Sequence, residues 1–190
     1  MNTRKIGATA SALAIAASCL AWWGPANAEV TQVIHHYDVR GTDVQGLKNS
    51  IRLGGPLGGR AFGLTNVVIE PQFAFMSDGV NCKTAKVQVN MDINMTLPQW
   101  DEARPVPASV SGQWKTLEDT VRAHEQMHVT IAEEFAARIE HVISTASSTD
   151  GCKALQAELT KKVRGLQMAH RFAQRAFDVE ERARLRALLP

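Results

Sequence analysis

From Gln113 to Asp150 the chain contains neither glycine nor proline. Those two residues are what most often end a helix, so a stretch of this length without them predicts one long helix. Leu117, Val121, Ile131, Phe135, Ile139 and Val142 fall on a single stripe of it. A second helix is expected from about Lys153 to past Phe177, with Leu155, Leu159, Val163, Leu166, Ala173 and Phe177 as its stripe. The segment S-S-T-D-G-C, Ser147 to Cys152, reads as the turn between them. Residues 111–190 are therefore expected to form an antiparallel helical hairpin.

Residues 29–110 read mainly as β. Val30–Val39 is short and rich in strand formers, including His35, His36 and Tyr37. A segment with Leu47 and Ile51 follows, then G-G-P-L-G-G, Gly54 to Gly59, a loop by composition. Val67, Ile69, Phe73 and Phe75 share one parity, and Pro71 among them suits a sheet edge or a bulge. Ser77–Gly79 is a turn signal. In the next strand Val87, Val89, Met91, Ile93, Met95 and Leu97 alternate with polar residues. Strict period two means one buried and one wet face, the pattern of an antiparallel sheet packed on something apolar. Pro98, Pro105 and Pro107 mark the connection to the helices. The expectation is one α+β domain over 29–190, an antiparallel sheet packed against the long helical hairpin.

The first 28 residues read as a secretory signal peptide. Arg4 and Lys5 precede an apolar stretch from Ile6 to Leu20, and Ala26-Asn27-Ala28 places small residues before a cut at Glu29. A lipoprotein signal ending at Cys19 is the rival. Signal removal leaves two of the three cysteines, Cys82 and Cys152, which in an oxidising compartment predicts one disulfide between the sheet and the helical turn. The expected product is periplasmic or secreted, with no transmembrane segment after cleavage. A formal net charge of only +2 and no long basic run give no sign of a nucleic-acid partner.

The chemistry is concentrated in R-A-H-E-Q-M-H-V-T, Arg122 to Thr130. On a helix His124 and His128 lie one turn apart on the same face, inside the apolar stripe rather than toward water. Both ring nitrogens can then reach one zinc ion. Glu125, rotated to the side, is placed to act as general base on a zinc-activated water and to pass the proton to a leaving amine. The plainer alternative is a pair of buried histidines satisfied by hydrogen bonds.

A zinc peptidase needs a third protein ligand. Ile131 and Glu134 stand where the metzincin motif has Gly and His, and His141 is about 20 Å further along the same helix. Folding the hairpin near Asp150 brings the level of His124 and His128 opposite residues around 172–176. His170 lies near that level on the apolar stripe, and Asp178 at its edge. His35 and His36 on the first strand are further candidates. The third ligand stays open between Asp178 and His170.

Several stretches together resemble a known family. They are H-H-Y-D-V-R-G (His35–Gly41), the Gly-Pro loop with G-R-A-F-G (Gly59–Gly63), and N-C-K-T-A-K-V-Q-V-N-M-D-I-N-M-T-L-P-Q-W (Asn81–Trp100). H-E-Q-M-H (His124–His128), G-C-K-A-L (Gly151–Leu155) and A-F-D (Ala176–Asp178) complete the set. In order and spacing they resemble the DUF922 proteins, a bacterial family described as predicted secreted zinc-dependent proteases. That pattern carries an aromatic-Asp pair followed by a T-x-H-G-like stretch. Phe177 and Asp178 match the pair, but V-E-E-R-A-R follows, without that His or Gly. The resemblance implies zinc as cofactor, held by His124 and His128, with Asp178 or His170 completing the set.

The leading expectation is thus a periplasmic or secreted zinc metallopeptidase with Glu125 as base, acting on a peptide or protein substrate of the cell envelope or beyond it. A cell-envelope amidase acting on peptidoglycan peptides shares that chemistry. The alternative is a non-catalytic exported binding module with a structural zinc or buried-histidine site.

Overall fold

The computed structural model describes residues 29–101 and 105–188. The candidate signal segment 1–28, Cys19 included, lies outside the described residues. In chain order the elements are β1 (Val30–Val39), α1 (Val44–Gly54), α2 (Pro56–Gly59), β2 (Leu64–Ser77), β3 (Cys82–Trp100), α3 (Ala108–Ser144), β4 (Ser147–Ser148) and α4 (Cys152–Arg186).

The architecture is α+β, but the sheet is mixed, not purely antiparallel. Its order is β1-β3-β2, with β4 pairing the start of β3. β2 and β3 form an antiparallel hairpin closed over Asp78, whose carboxylate accepts from the Asn81 backbone N–H at 2.8 Å. β1 runs parallel to β3, Val30 opposite Met91 and Val39 opposite Trp100. The chain leaves β1 through α1, enters β2 two strand positions away and antiparallel to β1, and folds β3 back into the gap. A strand antiparallel to β2 and inserted there must be parallel to β1. Alternation along β3 reports that one face is buried and is silent on the direction of its neighbours.

That burial follows the expected parity. Val89, Met91, Ile93, Met95 and Leu97 are all buried, beneath α3, which packs across β3 and β2. At about 1.5–3 kcal/mol for each fully buried aliphatic side chain, this row is a principal source of stability. β3 runs on through Pro98 to Trp100, beyond the point where proline suggested a connection. Pro71 lies on β2, an edge strand, and a register shift follows between Ala74 and Phe75.

Two elements differ from the sequence-based expectation. Val44–Gly54 is a helix, capped by Asp43, whose side chain accepts from Gly46 N at 2.8 Å, and it buries Leu47 and Ile51. α3 starts at Ala108 and runs through Gly112, three residues before the expected boundary at 111. The glycine-rich segment is a tight turn in which Leu57 and Gly58 have φ of 53° and 69°. A Cβ on Gly59, at φ 75°, would come within 2.0 Å of Arg52 O, so only glycine fits there.

α3 and α4 are joined by residues 145–151, and this turn is tied to the sheet twice. Ser148 pairs with Cys82, and Cys82 is disulfide-bonded to Cys152. The bond is consistent with an exported protein. Among the described residues no helix is long and apolar enough to cross a membrane.

The buried side chains form two clusters. One joins β1, β3, α1 and the first half of α3 through Val39, Leu47, Leu97, Trp114 and Leu117. The other joins β3, the second half of α3 and α4 through Met91, Phe135, Ile139, Leu155 and Leu159. His124, Glu125 and His128 occupy α3 between Val121 and Val129, near where the two clusters meet.

Candidate metal centre

His124, Glu125 and His128 are 5, 3 and 7 % exposed, so three polar side chains in one turn of α3 point inward. They face an open cleft of about 580 Å³ walled by Gly63–Val67, α3 and α4. Asp178 enters it from α4. Its Oδ1 lies 3.3 Å from His124 Nε2 and 3.0 Å from His128 Nε2, and the two Nε2 atoms are 3.3 Å apart. The three atoms form a near-equilateral triangle.

The hydrogen-bond network assigns the tautomer of His128. Gln174 Nε2 donates to His128 O at 2.9 Å and to His170 Nε2 at 2.7 Å, which leaves Gln174 Oε1 as an acceptor for His128 Nδ1–H. His128 Nε2 then carries a lone pair aimed at the Asp178 carboxylate. Two acceptors 3.0 Å apart repel unless a proton or a metal cation lies between them. Two imidazole nitrogens and a carboxylate oxygen are a zinc donor set, and tetrahedral ligands at about 2.0–2.1 Å from zinc are about 3.3–3.4 Å from one another. The residues present fit the ion. Phe177 stacks on His124, with centroids 4.7 Å apart, and meets His128 edge-on at 5.2 Å, so it walls the cluster from above.

Glu125 is held beside this triangle by β2 and the segment before it. Thr65 Oγ1 donates to Glu125 O at 3.3 Å. Tyr37 Oη donates to Phe62 O at 2.8 Å and fixes the backbone leading to Gly63. Gly63 lies so close that a Cβ on it would come within 2.6 Å of Glu125 Oε1. Glu125 Oε2 is buried with no hydrogen-bond partner, as is His124 Nδ1. Burial pushes the Glu125 carboxyl up to about 6, against opposing contributions from the Thr65 hydroxyl and His128. Burial also lowers the pKa of His124, ahead of its neighbour His128 and against Asp178, and it does the same to His170.

Of the expected site residues, the structure brings His124, His128 and Asp178 together as one group that could hold a metal ion. His170 is buried near Phe135 and spends its Nε2 on Gln174 rather than joining the triangle. His35 and His36 are exposed on β1, across β3 from the strand that lines the cleft. Sequence reasoning passed over Gln174, Gly63 and Thr65. Gln174 had a signal, since it stands one helical turn from both His170 and Asp178. Gly63 had none, because its role is a tertiary approach.

This α+β fold with its inward H-E-Q-M-H turn can be set beside known proteins. The model of the family described as bacterial protein of unknown function (DUF922) matches residues 34–184, and the chain belongs to that family. That description assigns no activity, so the protease expectation carried by the resemblance is not strengthened by membership. No curated protein and no solved structure matches the chain.

Proposed function

We propose that the protein is an exported zinc metallopeptidase in which His124, His128 and Asp178 hold the ion and Glu125 is the general base. The observation that carries this reading is the Glu125 carboxylate, buried and with Oε2 unpartnered, beside three converging ligand atoms. Leaving a buried acceptor unsatisfied costs about 1–3 kcal/mol, and neither a purely structural zinc site nor a histidine hydrogen-bond network has a use for it.

Zinc bound there would lower the pKa of a water and polarise a peptide carbonyl. The residues of this chain do the rest. Gln174 holds His128 in the tautomer that offers Nε2. Phe177 packs on both histidine rings and holds them in place. Glu125, raised toward neutrality by burial, takes a proton from the attacking water and returns it to the leaving amine.

A peptide has a place to lie. Among the described residues β2 pairs only with β3, and its other edge is unpaired. Met91 N–H donates to Glu29 O, on the β1 side, so Ile69 opposite it turns its own N–H and C=O away from β3. Gln167 Nε2 accordingly reaches Ile69 O at 3.3 Å. Thr65 and Val67 share that parity and line the cleft, where an extended peptide can pair with them. The disulfide fits the export half of the proposal, with cleavage between Ala28 and Glu29.

The test is zinc content of the mature chain together with a screen of unfolded proteins and envelope peptides. Zinc-dependent hydrolysis abolished by Glu125→Gln is the expected result. Hydrolysis that persists unchanged in that variant removes Glu125 as base, and absence of zinc binding removes the metal.

A further inference from the structure

The cleft is far more basic than the chain. Five arginines line it, Arg60, Arg171, Arg175, Arg182 and Arg186, against two carboxylates, Glu125 and Asp178, whereas the net charge of the whole sequence is only +2. Four of the five belong to α4, and they flank Asp178 on both sides. Arg171, Arg175, Arg182 and Arg186 are exposed, and among the described residues none of them is in an ion pair. Arg184, which does not line the cleft, is paired with Glu181. Arg175 stacks over the Phe172 ring at 4.8 Å, and Arg60 Nε donates to Leu57 O at 2.9 Å, so both are oriented without their charge being neutralised.

We propose that the cleft takes an extended peptide bearing carboxylate side chains on both sides of the bond presented to Glu125. This rests on the peptidase reading and names its substrate class. Arg175 and Arg171 precede Asp178 by one and two turns, and Arg182 and Arg186 follow it by one and two. At about 1.5 Å per residue they reach from about 5 to 12 Å either way along the cleft. An extended chain rises about 3.3 Å per residue, so the matching carboxylates lie about one to four residues from the central bond. Guanidinium groups pair with carboxylates through two parallel hydrogen bonds, which gives position as well as attraction. A nucleic acid is the poorer match. Four of the five basic groups lie along α4, on one wall of a single cleft with carboxylates at its centre, not the broad positive face that a phosphate backbone requires.

The experiment measures binding to the zinc-loaded mature chain, with Glu125→Gln keeping the probes intact. The probes are a labelled peptide alternating Glu and Ala, its counterpart with Gln for Glu, and a single-stranded oligothymidine. The Glu peptide should bind at least about tenfold more tightly than the Gln peptide, several exposed Arg–carboxylate pairs together being enough for that factor. The preference should shrink in Arg171→Gln/Arg182→Gln and return in part in Arg171→Lys/Arg182→Lys. Equal binding of the two peptides, an undiminished preference in the glutamine double variant, or tighter binding of the oligonucleotide each overturns the proposal. Cleavage by the native chain is read separately. A Glu preference without cleavage refutes the peptidase reading alone, and equal binding and cleavage of both peptides refutes the acidic-substrate proposal alone.

Discussion

Gln174 is joined to His128 twice, its side-chain oxygen to the ring Nδ1–H and its side-chain nitrogen to the backbone carbonyl of the same residue. One amide on α4 thus sets both the ring orientation and the tautomer of a histidine on α3. Groups that orient a metal-binding histidine in this way change metal affinity by about 10–100-fold when removed. Gln174→Ala is expected to weaken zinc binding by about that factor, measured by competition with a chelating dye, while the unliganded fold persists. Unchanged affinity would mean that the pairing is only a packing contact.

Asp178 and His170 should separate cleanly. Asp178→Asn is expected to lose most of the zinc, because a neutral amide replaces the carboxylate that meets both Nε2 atoms. His170→Ala should retain about one zinc per chain, with a smaller loss of affinity transmitted through Gln174. Metal analysis of the two purified variants decides the matter, and retention of zinc by Asp178→Asn would reverse the assignment.

Glu125→Gln keeps the shape of the side chain but cannot accept a proton at neutral pH. Zinc content should be unchanged, and hydrolysis should fall by about 10² to 10⁴, the range for loss of a positioned general base. Initial rates on the best substrate from the screen provide the measurement. Loss of zinc along with activity would instead make Glu125 part of the site's structure.

Gly63→Ala tests the approach of the segment before β2 to the base. Its Cβ would meet Glu125 Oε1 at 2.6 Å and Glu125 Cγ at 2.8 Å, so the carboxylate must move. Overpacking of this kind costs about 1–3 kcal/mol. Denaturant unfolding should show that loss, and kcat should drop more than KM changes. A variant equal to the native protein in both would show that the cleft relaxes without penalty.

Cys82→Ser/Cys152→Ser removes a cross-link between residues 70 apart in sequence. On the chain-entropy account such a loop contributes about 4 kcal/mol. The denaturation midpoint of the double variant should fall accordingly, and reducing the native protein should reproduce the shift. A midpoint insensitive to both would show that β4 and the helix packing already fix the turn.

The parts of this molecule that sequence discloses are those governed by local period. Alternation from Val87 to Leu97 located the buried face of β3, and the spacing of His124 and His128 placed them on the inward side of α3. The parallel pairing of β1 was hidden, because side-chain parity is the same whichever way a neighbouring strand runs. α1 was missed although Asp43 offered a cap, since Leu47 and Ile51 alone define too short a stripe. Asp178 emerged only as one of two candidates, because its distance from His128 depends on how far α4 rotates about its own axis. Gln174 bears no charge and drew no notice, yet it decides which histidine nitrogen is free.

The tie between Cys82 and Cys152 has a consequence at the other end of the molecule. α4 runs unbroken from Cys152 past Asp178. A slip of a single residue at its start would therefore carry undiminished along the rod and displace Asp178 by about 1.5 Å. That is half of the 3.0 Å that separates it from His128 Nε2. The cross-link works as an indexing pin: set at the far end of a long rod, it fixes the notch at which the carboxylate comes to rest.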